Sequence, residues 1–120
     1  MKIAVSASGS DLNALVDPRF GRAPFFLLVD PETLEFEAVP NQTNLQAPQG
    51  AGIQAAALVA RQRPVAVLTG NCGPKAFDTL QAAGIQVIVG VAGTVQEAVA
   101  DYRAGKFKSA PEPNVAGHWQ

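Results

Sequence analysis

The hydrophobic rhythm of this chain changes halfway along. Ile3, Ala4 and Val5 after Lys2 form a short apolar run, which predicts a buried strand over residues 2–6. Phe25-Phe26-Leu27-Leu28-Val29 is apolar without interruption, the pattern of a strand covered on both faces. Asp30-Pro31-Glu32-Thr33 predicts a turn. Leu34, Phe36 and Ala38 then alternate with Glu35 and Glu37. Period two with one wet face suits an outer strand, and the glutamates discourage edge-to-edge pairing. The first half therefore reads as a meander of three strands.

In the second half, residues 50–63 are Ala-rich and apolar nearly all round, which predicts a well-buried helix. Residues 65–68 form a strand. Gly73-Pro74 starts the next helix, with proline at the first helical position. Its stripe is Ala76, Phe77, Leu80 and Ala83, and Gly84 ends it. Residues 85–89 form another strand. Thr94-Val95-Gln96-Glu97 is a capping box, followed at helical spacing by Val95, Ala98, Val99 and Tyr102. Gly105 stops that helix. The last residues hold two prolines and no periodicity, so the chain reads as one domain over 1–107 with a flexible tail over 108–120.

The order is βββαβαβα. Strands separated by helices run parallel with right-handed crossovers, and a meander runs antiparallel. A five-stranded mixed sheet of order 3-2-1-4-5, with strand 2 reversed and helices flanking it, satisfies both. This α/β arrangement is called ribonuclease H-like.

That topology brings separate loops to one edge of the sheet. Eight of the eleven glycines lie in them: Gly9, Gly21, Gly50, Gly52, Gly70, Gly73, Gly90 and Gly93. Glycine lets backbone approach a ligand and leaves N–H groups uncovered. Arg19 and Arg22 add fixed charge and several donors, flanking Phe20 and Gly21. Ser6 offers a hydroxyl at the end of the first strand. The helices starting at Gly50, Pro74 and Thr94 aim their N-termini at this edge, where ligands of open α/β sheets commonly bind. With Asn71 nearby, these residues describe a pocket for something anionic. Glycines also serve purely steric ends, and the two arginines could instead pair with Asp11 or Asp17. The connection of about eighteen residues between the first two strands favours function, since loops beyond ~12–15 residues are uncommon in compact domains.

Cys72 precedes a helix start, where a thiol pKa tends to fall. It reads as a soft metal ligand or as a small loop residue. No histidine base lies near it in sequence, which argues against nucleophilic catalysis. His118 and Trp119 lie at the end of the tail: the histidine reads as solvated, and the tryptophan as a cover for a site or partner.

Composition narrows the chemistry. The formal charge of −1 and the lack of a polybasic arm argue against nucleic acid. No apolar run approaches the ~18 residues of a membrane helix, and no signal-peptide pattern opens the chain. A single cysteine excludes an internal disulfide and fits a reducing cytoplasm. One cysteine and one histidine cannot build a structural zinc site or an iron–sulfur cluster alone. The strands carry no clustered carboxylates for two-metal phosphoryl chemistry, so a nuclease-like fold here comes without the nuclease site.

Four blocks carry a resemblance. Val16-Asp17-Pro18-Arg19-Phe20-Gly21-Arg22-Ala23-Pro24-Phe25-Phe26 is similar to the signature loop of the dinitrogenase iron–molybdenum cofactor biosynthesis family. Gly50-Ala51-Gly52-Ile53-Gln54-Ala55-Ala56, Leu68-Thr69-Gly70-Asn71-Cys72-Gly73-Pro74 and Gly90-Val91-Ala92-Gly93-Thr94-Val95-Gln96-Glu97-Ala98-Val99 resemble its later blocks, in order. The resemblance implies a ribonuclease H-like domain that carries, stores or inserts metal–sulfur clusters, and some stand-alone members hold a molybdenum–copper sulfide. It points to a non-catalytic carrier of a preassembled anionic cluster of iron–molybdenum or molybdenum–copper type. The implied partners are cluster donor and acceptor proteins. Nitrogenase accessory members often use a core histidine, which this chain lacks. A different reading is an interaction module for a nucleotide-binding ATPase, anchored by Phe20 and Trp119.

Overall fold

In the computed structural model, residues 1–41 and 50–115 are described. His118, Trp119 and the middle of the connection over 40–50 lie outside them. The first strand, β1 (Ile3–Ala7), is buried at every position and forms the middle of the sheet. It pairs antiparallel with β2 (Phe25–Val29), Val5 opposite Leu27, and parallel with β4 (Ala66–Leu68), Val5 opposite Leu68. β3 (Phe36–Pro40) lies antiparallel outside β2, and β5 (Gln86–Ile88) parallel outside β4. The order is β3-β2-β1-β4-β5, the mixed sheet that the hydrophobic rhythm predicts.

Because strand side chains alternate between faces, the core divides in two. Ala4, Phe26, Leu28, Val67 and Val87 point to one face, where they meet Ala55, Ala56 and Val59 of α1 (Ala51–Arg61) and Ala76, Phe77 and Leu80 of α2 (Pro74–Ala82). Ile3, Val5, Leu27, Val29, Ala66, Leu68 and Ile88 point to the other, where α3 (Val95–Arg103) supplies Val95, Ala98 and Val99. Two helices thus cover one face and a single helix covers the other.

The outer strand starts later than its alternation suggests. Leu34 adopts φ +65° in the turn, where Asp30 Oδ1 accepts the Glu32 N–H at 2.8 Å, so pairing begins at Phe36. As an edge strand, β3 lets Ala38 pack towards one core and Val39 towards the other, and Phe36 stays 43% exposed.

The expected loose tail is corrected as far as residue 115. Phe107 packs beneath α3, the Ala110 N–H donates to the Val87 carbonyl at 2.7 Å, and Asn114 binds the loop before α2. Lone apolar residues and one asparagine do this without any periodicity to announce it.

Candidate functional site

The long connection between β1 and β2 is folded down by backbone pairing. Its first limb returns along the end of β1: Ser8 N–H donates to the Leu15 carbonyl at 3.0 Å, and Asp17 N–H to the Ser6 carbonyl at 2.8 Å. Val16 N–H then reaches the Gly93 carbonyl at 2.8 Å. The second limb crosses to the loop after β4. There Arg19 and Asn71 form a parallel bridge, Phe20 N–H donates to the Asn71 carbonyl at 3.1 Å, and Asn71 Nδ2 donates to the Pro18 carbonyl at 2.9 Å.

Gly70 is the position that makes this crossing possible. A Cβ there would stand 2.7 Å from Pro18 Cα and 2.9 Å from Pro18 O, closer than any side chain tolerates. Pro18 therefore lies directly on bare backbone. The Asp17 carboxylate then accepts the Arg19 N–H at 2.9 Å and turns the chain into a 3₁₀ turn, Phe20–Arg22. The turn is pinned from below by the Phe20 ring, which meets Phe26 at 5.0 Å between centroids with the planes tilted by 44°. Such pairs add roughly 0.5–1.5 kcal/mol beyond simple burial. Buried Asn41 holds the exit, its Nδ2 donating to the Ala23 carbonyl at 2.8 Å and the Gly21 carbonyl at 3.4 Å.

The 3₁₀ turn and Cys72 pack into the α1/α2 core, on the two-helix face. Here the helix N-termini are open in one sense: neither N-cap residue, Gly50 or Gly73, offers a capping side chain. The first intrahelical bond of α1 runs from Gln54 N–H to the Gly50 carbonyl at 2.9 Å, leaving the amides of Ala51, Gly52 and Ile53 without a helical acceptor. In α2 the Phe77 N–H bonds the Gly73 carbonyl at 3.0 Å, Pro74 has no N–H, and the Lys75 amide has no helical acceptor. Neither helix has an acidic residue in its first turn. Two positive helix ends and two arginines thus share one face.

The third helix differs. Thr94 Oγ1 accepts the Glu97 N–H at 3.1 Å, and Glu97 Oε1 accepts the Thr94 N–H at 2.9 Å, completing the capping box. Val95 N–H donates to the Ala14 carbonyl and Gln96 N–H to the Leu12 carbonyl, both at 2.9 Å. These bonds hold the Glu97 carboxyl below its ordinary range, the Thr94 backbone N–H first and the Thr94 hydroxyl second. A Cβ on Gly93, at φ +88°, would come within 2.9 Å of Glu97 Oε1. This helix start has no donor left to offer an anion, and a carboxylate already sits on it.

The candidates of the sequence therefore separate. Arg19 is exposed and Arg22 half-buried on the 3₁₀ turn; Gly50, Gly52, Gly73 and Asn71 lie around the two open helix starts. Among the described residues, Arg19 pairs with neither Asp11 nor Asp17. Gly93 and Thr94 form the closed start on the other face. Ser6 is fully buried, its Oγ donating to the Asp17 carbonyl at 2.9 Å and sharing a 2.8 Å bond with Thr69 Oγ1, so the hydroxyl expected to face an anion is already used. Phe20 is 1% exposed and Gly21 is buried: they support the turn from inside.

Cys72 is corrected most. Its thiol is fully buried in the α1/α2 core, and burial pushes its pKa up to about 12. The fall expected before a helix start does not occur, because loss of hydration outweighs the helix dipole. Among the described residues no three His, Cys, Asp or Glu side chains cluster as a metal-ion site, and no helix is long and apolar enough to cross a membrane.

Two residues that the sequence did not single out complete the site. Asn41 locks the 3₁₀ turn, and Asn114 holds the loop over 70–72. Each is an asparagine directly after a proline, the one local signal they carry.

Known proteins are similar to this chain in sequence and fold. The family described as dinitrogenase iron-molybdenum cofactor matches residues 1–105. The orange protein of Desulfovibrio gigas, solved in its apo form, is 45% identical with a TM-score of 0.92, over 95% of this chain and 96% of that one. A Thermotoga protein provisionally assigned as NifB, solved by NMR, is 31% identical with a TM-score of 0.77, over 90% of this chain and 91% of its own. An uncharacterized protein of Methanocaldococcus jannaschii is 28% identical over 110 residues, 90% of each chain.

Proposed function

The chain belongs to the dinitrogenase iron–molybdenum cofactor family, and from that premise we propose that it is a non-catalytic carrier of a preassembled, anionic metal–sulfur cluster. The cargo is of iron–molybdenum or molybdenum–copper type, moved in the cytoplasm between donor and acceptor proteins of cofactor biosynthesis. One observation carries this reading: the Arg19–Asn71 bridge sets an arginine-bearing turn on the face where two helices start from glycine N-caps. The orange protein is described in an apo form, which supports a cargo that can leave.

The donor set suits such a cargo. Terminal sulfides of a cluster carry negative charge and accept hydrogen bonds. Guanidinium groups of Arg19 and Arg22 supply charge-assisted donors. The starts of α1 and α2 add the partial positive charge of two helix dipoles. Nothing here requires a metal–protein bond, and the protonated, buried Cys72 is poorly placed to make one. Holding by charge and hydrogen bonds releases its cargo without breaking a coordinate bond, as a carrier must. The alternative, an ATPase-binding module anchored by Phe20 and Trp119, loses Phe20 to the core, and Trp119 lies outside the described residues.

The test is anaerobic purification with elemental analysis and a visible absorption spectrum. The carrier reading expects near-stoichiometric molybdenum with iron or copper and sulfide-to-metal absorption. Metal-free protein that takes up no cluster on reconstitution overturns it.

A further inference from the structure

Over residues 106–115 the chain has neither helix nor strand, yet it crosses the molecule. Phe107 packs into the core under α3, and Ala110 packs into the core under α1 and α2. Between them Gln86 Nε2 donates to Ser109 Oγ, and the Ala110 N–H takes the Val87 carbonyl. The segment therefore wraps β5 from one face of the sheet to the other. It covers the edge that an outermost strand otherwise leaves unpaired.

It ends on the cargo side. Asn114 N–H donates to the Cys72 carbonyl at 3.2 Å, and Asn114 Oδ1 accepts the Cys72 N–H at 2.8 Å. Asn114 Nδ2 donates to the Gly70 carbonyl at 3.2 Å and to Asn71 Oδ1 at 3.1 Å. One residue thus grips three consecutive positions of a loop bounded by Gly70 and Gly73, whose backbone has more freedom than most. The same Asn71 side chain grips Pro18, one residue from Arg19.

We propose that residues 106–115 are a strap and Asn114 its latch, a positioning residue that fixes the 70–73 loop and, through Asn71, the arginine turn. The role in cargo holding rests on the carrier reading; the latch itself does not. Most of the strap faces solvent, so lifting it withdraws only partly buried Phe107 and Ala110 from the margins of the two cores. Lifting it uncovers the loop above Cys72, the sole cysteine of the chain, which makes that thiol a reporter of the latch.

The experiment uses the full chain without metal, labelled at Cys72 with an aromatic disulfide at pH 8. Asn114→Ala labels about tenfold faster than wild type while far-UV circular dichroism is unchanged, because the loop opens locally. Asn114→Asp keeps the acceptor for the Cys72 N–H and loses both donations, so its rate falls between the two and Cys72 amide exchange stays slow. Equal labelling in all three proteins overturns the latch. If Asn114→Ala unfolds globally, the aspartate variant alone decides by the same two readouts. Reconstitution with tetrathiomolybdate and copper(I) tests the positioning role. Metal retention lower in Asn114→Ala by several-fold supports it, and wild-type retention beside faster labelling overturns it. If wild type itself retains no metal, the carrier reading fails and the labelling result still decides the strap.

Discussion

Two faces of one sheet treat the same local pattern in opposite ways. On both, a glycine-bearing loop leads into a helix at the C-terminal ends of parallel strands. Over α3 every early amide is taken, by Thr94, Glu97 and the carbonyls of Leu12 and Ala14. α1 and α2 start instead from Gly50 and Gly73, which bring no capping side chain, and the neighbouring turn brings arginines instead of a glutamate. The comparison teaches that a helix start becomes a candidate anion site by the charges set around it: a capping glutamate on one face, bare glycine N-caps and arginines on the other. Glycine and a helix dipole are present in each case.

The largest expected effect breaks the open face. Arg19→Ala combined with Arg22→Ala lowers cluster retention by about an order of magnitude or more, through lost charge-assisted bonds. Elemental analysis of reconstituted protein reads this, with circular dichroism confirming the fold. Next is Gly70→Ala, which forces Pro18 off the loop. Overpacking of this kind costs roughly 1–3 kcal/mol, visible as a lower denaturation midpoint and weaker retention together.

The closed face gives a smaller and pH-dependent effect. The folded Glu97 carboxyl lies below its unfolded value, so its contribution is present above about pH 4.3 and lost as pH falls through the folded value. Thermal midpoints of wild type and Glu97→Gln therefore differ at pH 6 and converge on acidification, while cluster retention at neutral pH is the same in both. The smallest effect belongs to Cys72. Cys72→Ala leaves metal retention at the wild-type level; a marked loss would show that the buried thiol reaches the cluster after all.

Much of this was legible in the sequence, for physical reasons that also mark where legibility stopped. Apolar runs at 25–29 and the Thr94–Glu97 box are local, and local patterns fixed the strands, their order and the α3 start. Ser6, expected to offer its hydroxyl to an anion, instead continues the buried strand, and Asp17 and Thr69 take that hydroxyl inside the fold. What stayed hidden depends on contacts across the chain. Leu12 and Ala14 close α3 with carbonyls, groups that every residue has. Asn41 and Asn114 act through distant backbone, and Cys72 is silenced by side chains that no neighbouring residue reveals.

The turn between β2 and β3 has a practical use. It closes on itself, with Asp30 N–H on the Glu35 carbonyl at 2.9 Å and Leu34 N–H on the Asp30 carbonyl at 2.8 Å. The five residues of β2 separate it from the arginines by about 17 Å. An affinity peptide or dye inserted at exposed Glu32 would tether the protein to a sensor surface from behind, leaving the arginine-bearing end exposed to whatever flows past.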